Sequence, residues 1–388
     1  MVSAGLHHTV LLRSDGSAVA VGMNGDGRCN IPPLDEGMAY TQVSAGMDHT
    51  VLLRSDGCAI AIGSNSMGQC TIPLSDDGMA YIQVSAGSFH TVLLRSDGSA
   101  VATGLNADGR CNIPPLDEGM VYTQISAGMD HTVLLRSDGC AIAIGSNSMG
   151  QCAIPLLDEG MAYTQVSAGG FHTVLLRSDG SAVAIGVNRD GRCNVPPLDQ
   201  GMAYTEVSAG SVHTVLLHSD GRAVATGDNE HGQCNIPPLD EGMAYTQISA
   251  GSVHTVLLRS DGYAVAIGSE KYGQCKIPPP QPGMCYIGDT TCGRDLALQL
   301  EFVGVDDAVA LICSTLVGEE RYRLIARGVD SAWETHKRIA CELNVNLSNL
   351  QLVLPDGQLL AKICRTHPGT SVAEMSQSTQ QTQLTKHL

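Results

Sequence analysis

The stretch Val43–Cys70 is VSAGMDHTVLLRSDGCAIAIGSNSMGQC, and it returns at residues 125–152 with one change, Val43 to Ile125. Near-identity over 28 residues indicates internal duplication. The same pattern recurs every 41 residues up to about Gly288. The seven copies begin at Val2, Val43, Val84, Ile125, Val166, Val207 and Ile248. Self-similarity at this period predicts structural units that each bury their faces against their neighbours.

Each copy carries the signals of short β-strands. In the second copy the apolar runs HTVLL and AIAIG flank Asp56-Gly57, and Asp-Gly between such runs predicts a hairpin because glycine accepts positive φ. A proline-containing segment then interrupts regular structure before AYIQVSAG, a further strand. Three or four strands per unit without helical periodicity predict an all-β seven-bladed β-propeller. We assign it to residues 1–300, with 289–300 expected to complete one blade.

The last hundred residues depart from the period. The segment 308–329 predicts a hairpin, 330–345 an amphipathic helix, and 350–360 a second hairpin. We therefore expect a small α+β domain over residues 301–375 and a polar tail over 376–388.

Composition narrows the function classes. The 388 residues include 39 acidic against 22 Lys and Arg side chains, for a net charge of −17, so no basic face for nucleic acid is expected. No apolar run is long enough to cross a membrane, and the N-terminal residues lack the pattern of a signal peptide. We expect a cytoplasmic or nuclear monomer with reduced cysteines. No phosphate loop, nucleophile–base pair or metal cluster is evident, which predicts no enzyme activity and no cofactor.

The motif SAGxxHTVLLxxDG…GxNxxGQ…P resembles the regulator-of-chromosome-condensation repeat, which implies a seven-bladed propeller. The short unit is similar to the blades of the bacterial β-lactamase-inhibitor propeller, and HERC-type ubiquitin ligases carry similar propellers. In the C-terminal part, TLVGEE and LQLVLPDGQLL resemble two regions of ubiquitin and imply a β-grasp, ubiquitin-like domain. The chain finishes QLTKHL without Gly-Gly, so conjugation is not expected.

These resemblances favour a non-catalytic scaffold or adaptor that binds a protein partner, HERC-like but without a catalytic ligase domain, in the ubiquitin pathway. Two alternatives stay open: nucleotide exchange on a small GTPase, and inhibition of an enzyme by a propeller that covers its active site. A shared fold does not decide between them.

Seven histidines share one register of the repeat, from His8 to His254. Metal ligation would require three or four of them to converge on one ion, which copies spread around a ring cannot do. We predict that each imidazole instead ties its own blade by a hydrogen bond to backbone. The seven cysteines that recur from Cys29 to Cys275 are expected to be structural as well.

The repeats differ mainly at two places, after SAG and around the asparagine of GxNxxG, and both are predicted loops. Recognition residues can vary on loops that a rigid scaffold supports, although drift at unconstrained positions is an open alternative. The candidate partner-binding residues are Met47, Asp48, Met67, Phe89, Met129, Asp130, Met149, Phe171, Arg189, His231 and Tyr272. By analogy with the apolar docking patch of ubiquitin, Leu316 and Val353 are added.

Overall fold

The computed structural model describes residues 1–74 and 79–288, together with four strands between residues 296 and 353. It divides the chain into two compact units, Met1–Gly288 and Asp289–Leu388. Within the described residues, no helix has the length and apolar character needed to span a membrane.

The first unit consists of seven antiparallel sheets, one per repeat, each with three strands in the order first, second, third. The strands are Val2–Ala4, His8–Leu12 and Ala18–Gly22 in blade 1; Tyr40–Ala45, His49–Arg54 and Ala59–Gly63 in blade 2; Tyr81–Ala86, His90–Arg95 and Ala100–Gly104 in blade 3; Tyr122–Ala127, His131–Arg136 and Ala141–Gly145 in blade 4; Tyr163–Ala168, His172–Arg177 and Ala182–Gly186 in blade 5; Tyr204–Ala209, His213–His218 and Ala223–Gly227 in blade 6; and Tyr245–Ala250, His254–Arg259 and Ala264–Gly268 in blade 7. This is the predicted β-propeller.

The predicted Asp-Gly hairpins are confirmed. In blade 2, Gly57 has a φ of 82°, which the missing side chain permits. The Arg54 N–H donates to the Cys58 carbonyl over 2.9 Å and closes the turn. The Asp56 carboxylate accepts the Cys58 N–H at 3.0 Å, which explains why aspartate precedes the glycine.

Neighbouring blades share their cores. Between blades 2 and 3, Val51 and Leu53 pack against Tyr81, Val84 and Leu93, all of them buried. Equivalent clusters fill the other described boundaries. The second strand is buried on both faces because it packs against a blade on either side. The sequence HTVLL therefore does not alternate between apolar and polar residues; it is apolar except for His and Thr, whose side chains are hydrogen-bonded.

The ring is closed by the end of the repeat region. Tyr286 pairs with Arg13, and the Ile287 N–H donates to the Leu12 carbonyl at 3.1 Å. Residues 285–287 therefore supply the first half of a strand whose second half is Val2–Ala4. Residues 289–295 lie outside the described residues, and the expected propeller boundary at residue 300 stays a prediction.

The described residues of the second unit form a four-stranded sheet. Leu296–Val305 pairs antiparallel with Ala308–Thr315 and parallel with Leu350–Val353, and Ala308–Thr315 pairs antiparallel with Glu320–Arg327. The strand Leu296–Val305 crosses the expected boundary at residue 300 and is not among the strands expected for a β-grasp domain. The expected helix over 330–345 and the polar tail lie outside the described residues. The β-grasp assignment stays a prediction.

Candidate functional site: the loop face of the propeller

Two loops of every blade lie at the same end of the propeller. In blade 2 they are residues 46–48, between the first and second strands, and 64–69, after the third strand. The Ser64 N–H donates to the Asp48 carbonyl over 2.8 Å, and the equivalent bond joins the two loops in the other six blades. We call this end the loop face, defined by residues 46–48 and 64–69 and their equivalents at intervals of 41 residues.

The structure places most of the predicted site residues on this one face. They are Met47, Asp48, Met67, Phe89, Met129, Asp130, Met149, Phe171, Arg189, His231 and Tyr272. Val353 lies in the strand Leu350–Val353, whose side chains are not described, and Leu316 lies outside the described residues. Binding of a partner by any of these residues stays a prediction.

Asp48 has a structural role that the sequence did not reveal. Arg28 of blade 1 is only 1% exposed, and its Nη1 lies 2.7 Å from Asp48 Oδ1 in blade 2. The same guanidinium donates to the Met47 carbonyl at 3.0 Å and pairs with Asp26 of its own loop at 2.5 Å. Because a buried cation needs charged and hydrogen-bonding partners, Asp48 helps to join two blades.

Asp130 repeats this arrangement with Arg110 at 2.8 Å, between blades 3 and 4. In other blades the register of Arg28 holds glutamine; Gln69 is also buried, and its Oε1 accepts the Met67 N–H at 2.9 Å. The sequence does carry a signal for this pairing. The register of Arg28 holds either Arg or Gln, and the repeats that follow Arg28 and Arg110 carry an aspartate, Asp48 and Asp130, in the facing loop.

The four methionines of repeats 2 and 4 divide into two kinds. Met67 and Met149 are 46% and 47% exposed, which is high for large apolar side chains. Met47 and Met129 are half-buried and line a central cavity of about 80 Å³ on the propeller axis.

The cavity is bounded by the Ala-Gly pairs that end the seven first strands. The Leu6 N–H donates to the Gly46 carbonyl at 3.1 Å, and equivalent bonds continue from blade to blade around the ring. A Cβ on Gly46 would lie 2.4 Å from the Gly87 carbonyl oxygen, so only glycine fits. The side chains around the cavity are uneven: Leu6, Met47 and Met129 are long, whereas Ser88, Gly170, Ser211 and Ser252 are small.

The remaining predicted residues differ in exposure. Arg189 and His231 are exposed, and Phe89 and Phe171 are half-buried. Tyr272 of blade 7 contacts His7 of blade 1 with ring centroids 4.5 Å apart, so this side chain also helps to close the ring.

The seven register histidines connect adjacent blades rather than their own. His49 Nε2 lies 2.9 Å from Thr91 Oγ1, and Thr91 Oγ1 donates to the Gln69 carbonyl at 2.7 Å. Because the threonine hydrogen is used, the imidazole must donate from Nε2, and Nδ1 is unprotonated. The same pair forms at every blade boundary. The structural role is retained, but the predicted bond to backbone of the same blade is wrong.

Burial keeps these imidazoles neutral. Desolvation lowers the pKa of His49, His131 and His213 to about 4 and that of His90, His172 and His254 to about 3, with nearby Arg28 or Arg110 adding to the effect in several cases. Among the described residues, the buried Nδ1 atoms have no hydrogen-bond partner, so a proton on them would find no acceptor there.

The register cysteines are half-buried free thiols. Desolvation raises the pKa of Cys70, Cys152, Cys234 and Cys275 to about 11, which makes them poor nucleophiles. Cys285, by contrast, is disulfide-bonded and departs from the expectation of reduced cysteines. Among the residues that the structure describes, no group of His, Cys, Asp or Glu side chains is arranged to hold a metal ion.

The closed ring of three-stranded blades defines this unit as a β-propeller. Six of its repeats match the family model of the regulator of chromosome condensation (RCC1) repeat, at residues 40–69, 81–110, 122–151, 163–192, 204–233 and 245–274. The first unit is therefore a propeller built from RCC1-like repeats. A comparison with curated proteins gave no match.

Solved structures support the same fold. Prp20p from Saccharomyces cerevisiae aligns with a TM-score of 0.56 and 17% identity over 71% of this chain and 84% of that one. Human WBSCR16 aligns with a TM-score of 0.56 and 17% identity, over 66% and 85%. The CRINKLY ectodomain of the Arabidopsis thaliana receptor kinase ACR4 aligns with 0.55 and 20% identity, over 72% and 97%. At these identities the similarity establishes the fold alone.

Proposed function

We propose that the protein is a non-catalytic scaffold that binds a protein partner on the loop face. The observation that carries the proposal is the exposure of Met67 and Met149, each nearly half exposed, on the same face as the half-buried Met47 and Met129. Methionine offers a polarisable apolar contact that adapts to a partner. Apolar side chains held on the rigid loops of a propeller favour a protein ligand over a small polar one.

The proposal is tested by paired variants. Met67→Ser with Met149→Ser should remove partners that the full-length wild type captures, because the apolar contact is lost. The matched control is Leu74→Ser with Leu156→Ser, which removes two apolar side chains, 90% and 97% exposed, from connecting segments outside the loop face. Quantitative affinity chromatography should show partners lost by the methionine variant and retained by the leucine variant. Equal retention by both variants would contradict the proposal.

A finer form of the proposal places the protein in the ubiquitin pathway. It is supported by the resemblance of residues 301–375 to ubiquitin. Among captured partners, ubiquitin receptors, ligases or proteasome subunits should be enriched, and their absence would count against this form.

Nucleotide exchange on a small GTPase is the alternative for the same face. It is supported by the fold similarity to Prp20p, whose solved structure is described together with its binding to Gsp1p and histones. Accelerated release of bound nucleotide from a panel of purified small GTPases would favour it over a passive scaffold.

The net charge of −17 disfavours nucleic acid as the partner. Nine free cysteines among the described residues favour an intracellular compartment, and the disulfide-bonded Cys285 is the exception.

A further inference from the structure

Arg192 occupies in blade 5 the place that Arg28 and Arg110 occupy in blades 1 and 3. It is buried, and its Nη2 pairs with Asp190 of the same loop. Its Nη1 donates to the Ser211 carbonyl of blade 6 at 2.7 Å, as Arg28 does to the Met47 carbonyl. Up to this point the three arginines are equivalent.

One partner is missing at Arg192. The Nη1 atoms of Arg28 and Arg110 each lie beside a carboxylate of the next blade as well: Asp48 in blade 2 at 2.7 Å and Asp130 in blade 4 at 2.8 Å. In blade 6 the equivalent residue is Val212. Across the described residues, Arg192 forms one ion pair where Arg28 and Arg110 each form two.

An acid that blade 6 carries nearby does not replace this partner. Asp228 Oδ1 accepts the Glu230 N–H at 2.8 Å and Gln233 Nε2 at 3.0 Å, so that oxygen serves its own loop. A carboxylate of the chain therefore lies beside Nη1 of Arg28 and of Arg110. Among the described residues, none lies beside Nη1 of Arg192.

The equivalent position in the other blades is open to solvent on the loop face, since the Asp48 and Asp130 side chains that occupy it are 33% and 29% exposed. Ser211, whose carbonyl accepts Nη1, lines the central cavity on the side where Gly170 and Ser252 are also small. The neighbouring side chain Arg189 is exposed on the same loop and adds a second positive charge. No long side chain equivalent to Met47 or Met129 projects from residue 211.

We propose that Arg192, Ser211 and Val212 form a binding slot for a single carboxylate group. The ligand carboxylate would form an ion pair with Arg192 Nη1, as Asp48 and Asp130 do with Arg28 and Arg110. The slot does not depend on the proposed scaffold function. Both a free small carboxylate and a glutamate side chain of a partner have the required chemistry.

The test uses acetate as the probe and the side-chain Nε–Hε signal of Arg192 as the readout in NMR spectra of the full-length protein. Arg192 Nε is buried and has no partner in the part of the chain that the structure describes, so its proton is shielded from solvent. Arg192→Gln assigns the signal, and glutamine is the residue that four other blades carry in this register. Acetate should shift the signal saturably at millimolar to tens of millimolar concentration, relative to chloride at equal ionic strength.

Val212→Asp should supply the missing carboxylate from the chain itself. Its Arg192 signal should begin near the acetate-saturated position and should no longer respond to acetate. Val253→Asp, which faces the glutamine register of blade 6, is the matched control and should leave the response of Arg192 unchanged. If Val212→Asp does not fold, the wild-type titration alone decides.

A blocked Gly-Glu-Gly peptide at the same concentrations distinguishes the two sources. A shift with both probes supports a carboxylate that a protein chain can present, and a shift with acetate alone supports a free small carboxylate. An Arg192 signal that acetate does not move, or that moves equally in wild type and Val212→Asp, would overturn the proposal.

Discussion

Thr9 Oγ1 lies 2.9 Å from His254 Nε2, and this bond joins blade 1 to blade 7 across 245 residues of sequence. It is the closing member of a ring of seven His–Thr bonds, one at each blade boundary. Every boundary therefore depends on a buried neutral imidazole, and this arrangement determines how the propeller should respond to acid and to mutation.

We expect the propeller to lose stability steeply in mild acid. The folded pKa values of six of these histidines are about 3 to 4, below the ordinary 6.5, so the unfolded chain binds more protons. Stability is fully present above about pH 6.5 and falls as the pH drops from 6.5 towards 4. At pH 5 each histidine costs about 2 kcal/mol, and six together cost on the order of 10 kcal/mol, comparable with the stability of a typical domain.

Urea unfolding at pH 7.5, 6.5, 5.5 and 5.0 measures this dependence. His90→Gln retains an Nε2–H donor for Thr132 without a titratable group, so it should reduce the slope of stability against pH by about 1.4 kcal/mol per pH unit. Constant stability between pH 7 and 5 would show that the buried imidazoles do not govern folding.

Removing one hydroxyl from the ring should be costly. Thr91→Val leaves His49 Nε2–H and the Gln69 carbonyl without their partner, so we expect a loss of about 2–3 kcal/mol. Thr91→Ser keeps the hydroxyl and should lose less than half of that. Chemical denaturation at pH 7.5 compares the two, and equal stability of the valine variant and the wild type would refute a structural role for the ring.

The sequence predicted the blades well because their signals are local. Asp56-Gly57 marks a hairpin, and the 41-residue period shows that the unit is repeated seven times. It could not predict the partner of His49, because Thr50 of the same blade and Thr91 of the next blade stand in the same register of the repeat. The packing of adjacent blades brings Thr91, rather than Thr50, within hydrogen-bond distance of His49 Nε2.

The same limit applies to the candidate site. Asp48 varies among repeats and was predicted as a recognition residue, but it varies together with the residue that faces it from the preceding blade, Arg28. Exposure was predictable for Met67 from its place in a turn, whereas the burial of Arg28 was not, because a basic residue in a loop is ordinarily solvated.

A double-mutant cycle tests the pairing of Arg28 and Asp48. Asp48→Ser alone should destabilise the protein by about 1–3 kcal/mol, since the buried guanidinium loses a carboxylate that is itself partly exposed. In the Arg28→Gln background the same change should cost near zero, because no buried cation remains. The cycle on Arg110 and Asp130 should repeat the result, and additive effects in both cycles would contradict the coupling.

Deleting one complete repeat, residues 125–165, should abolish cooperative unfolding of the propeller. The deletion brings His90 next to Thr173, so every boundary could still form its His–Thr pair. The rotation between neighbouring blades, however, would have to change from about 51° to about 60° for six blades to close. The strained or open ring should melt broadly and at lower temperature in calorimetry. Replacing 125–165 by a copy of residues 43–83, which are nearly identical in sequence, restores seven blades and should restore the wild-type transition. A single sharp transition in the six-repeat chain would instead indicate that the repeats stack without needing a closed ring of seven.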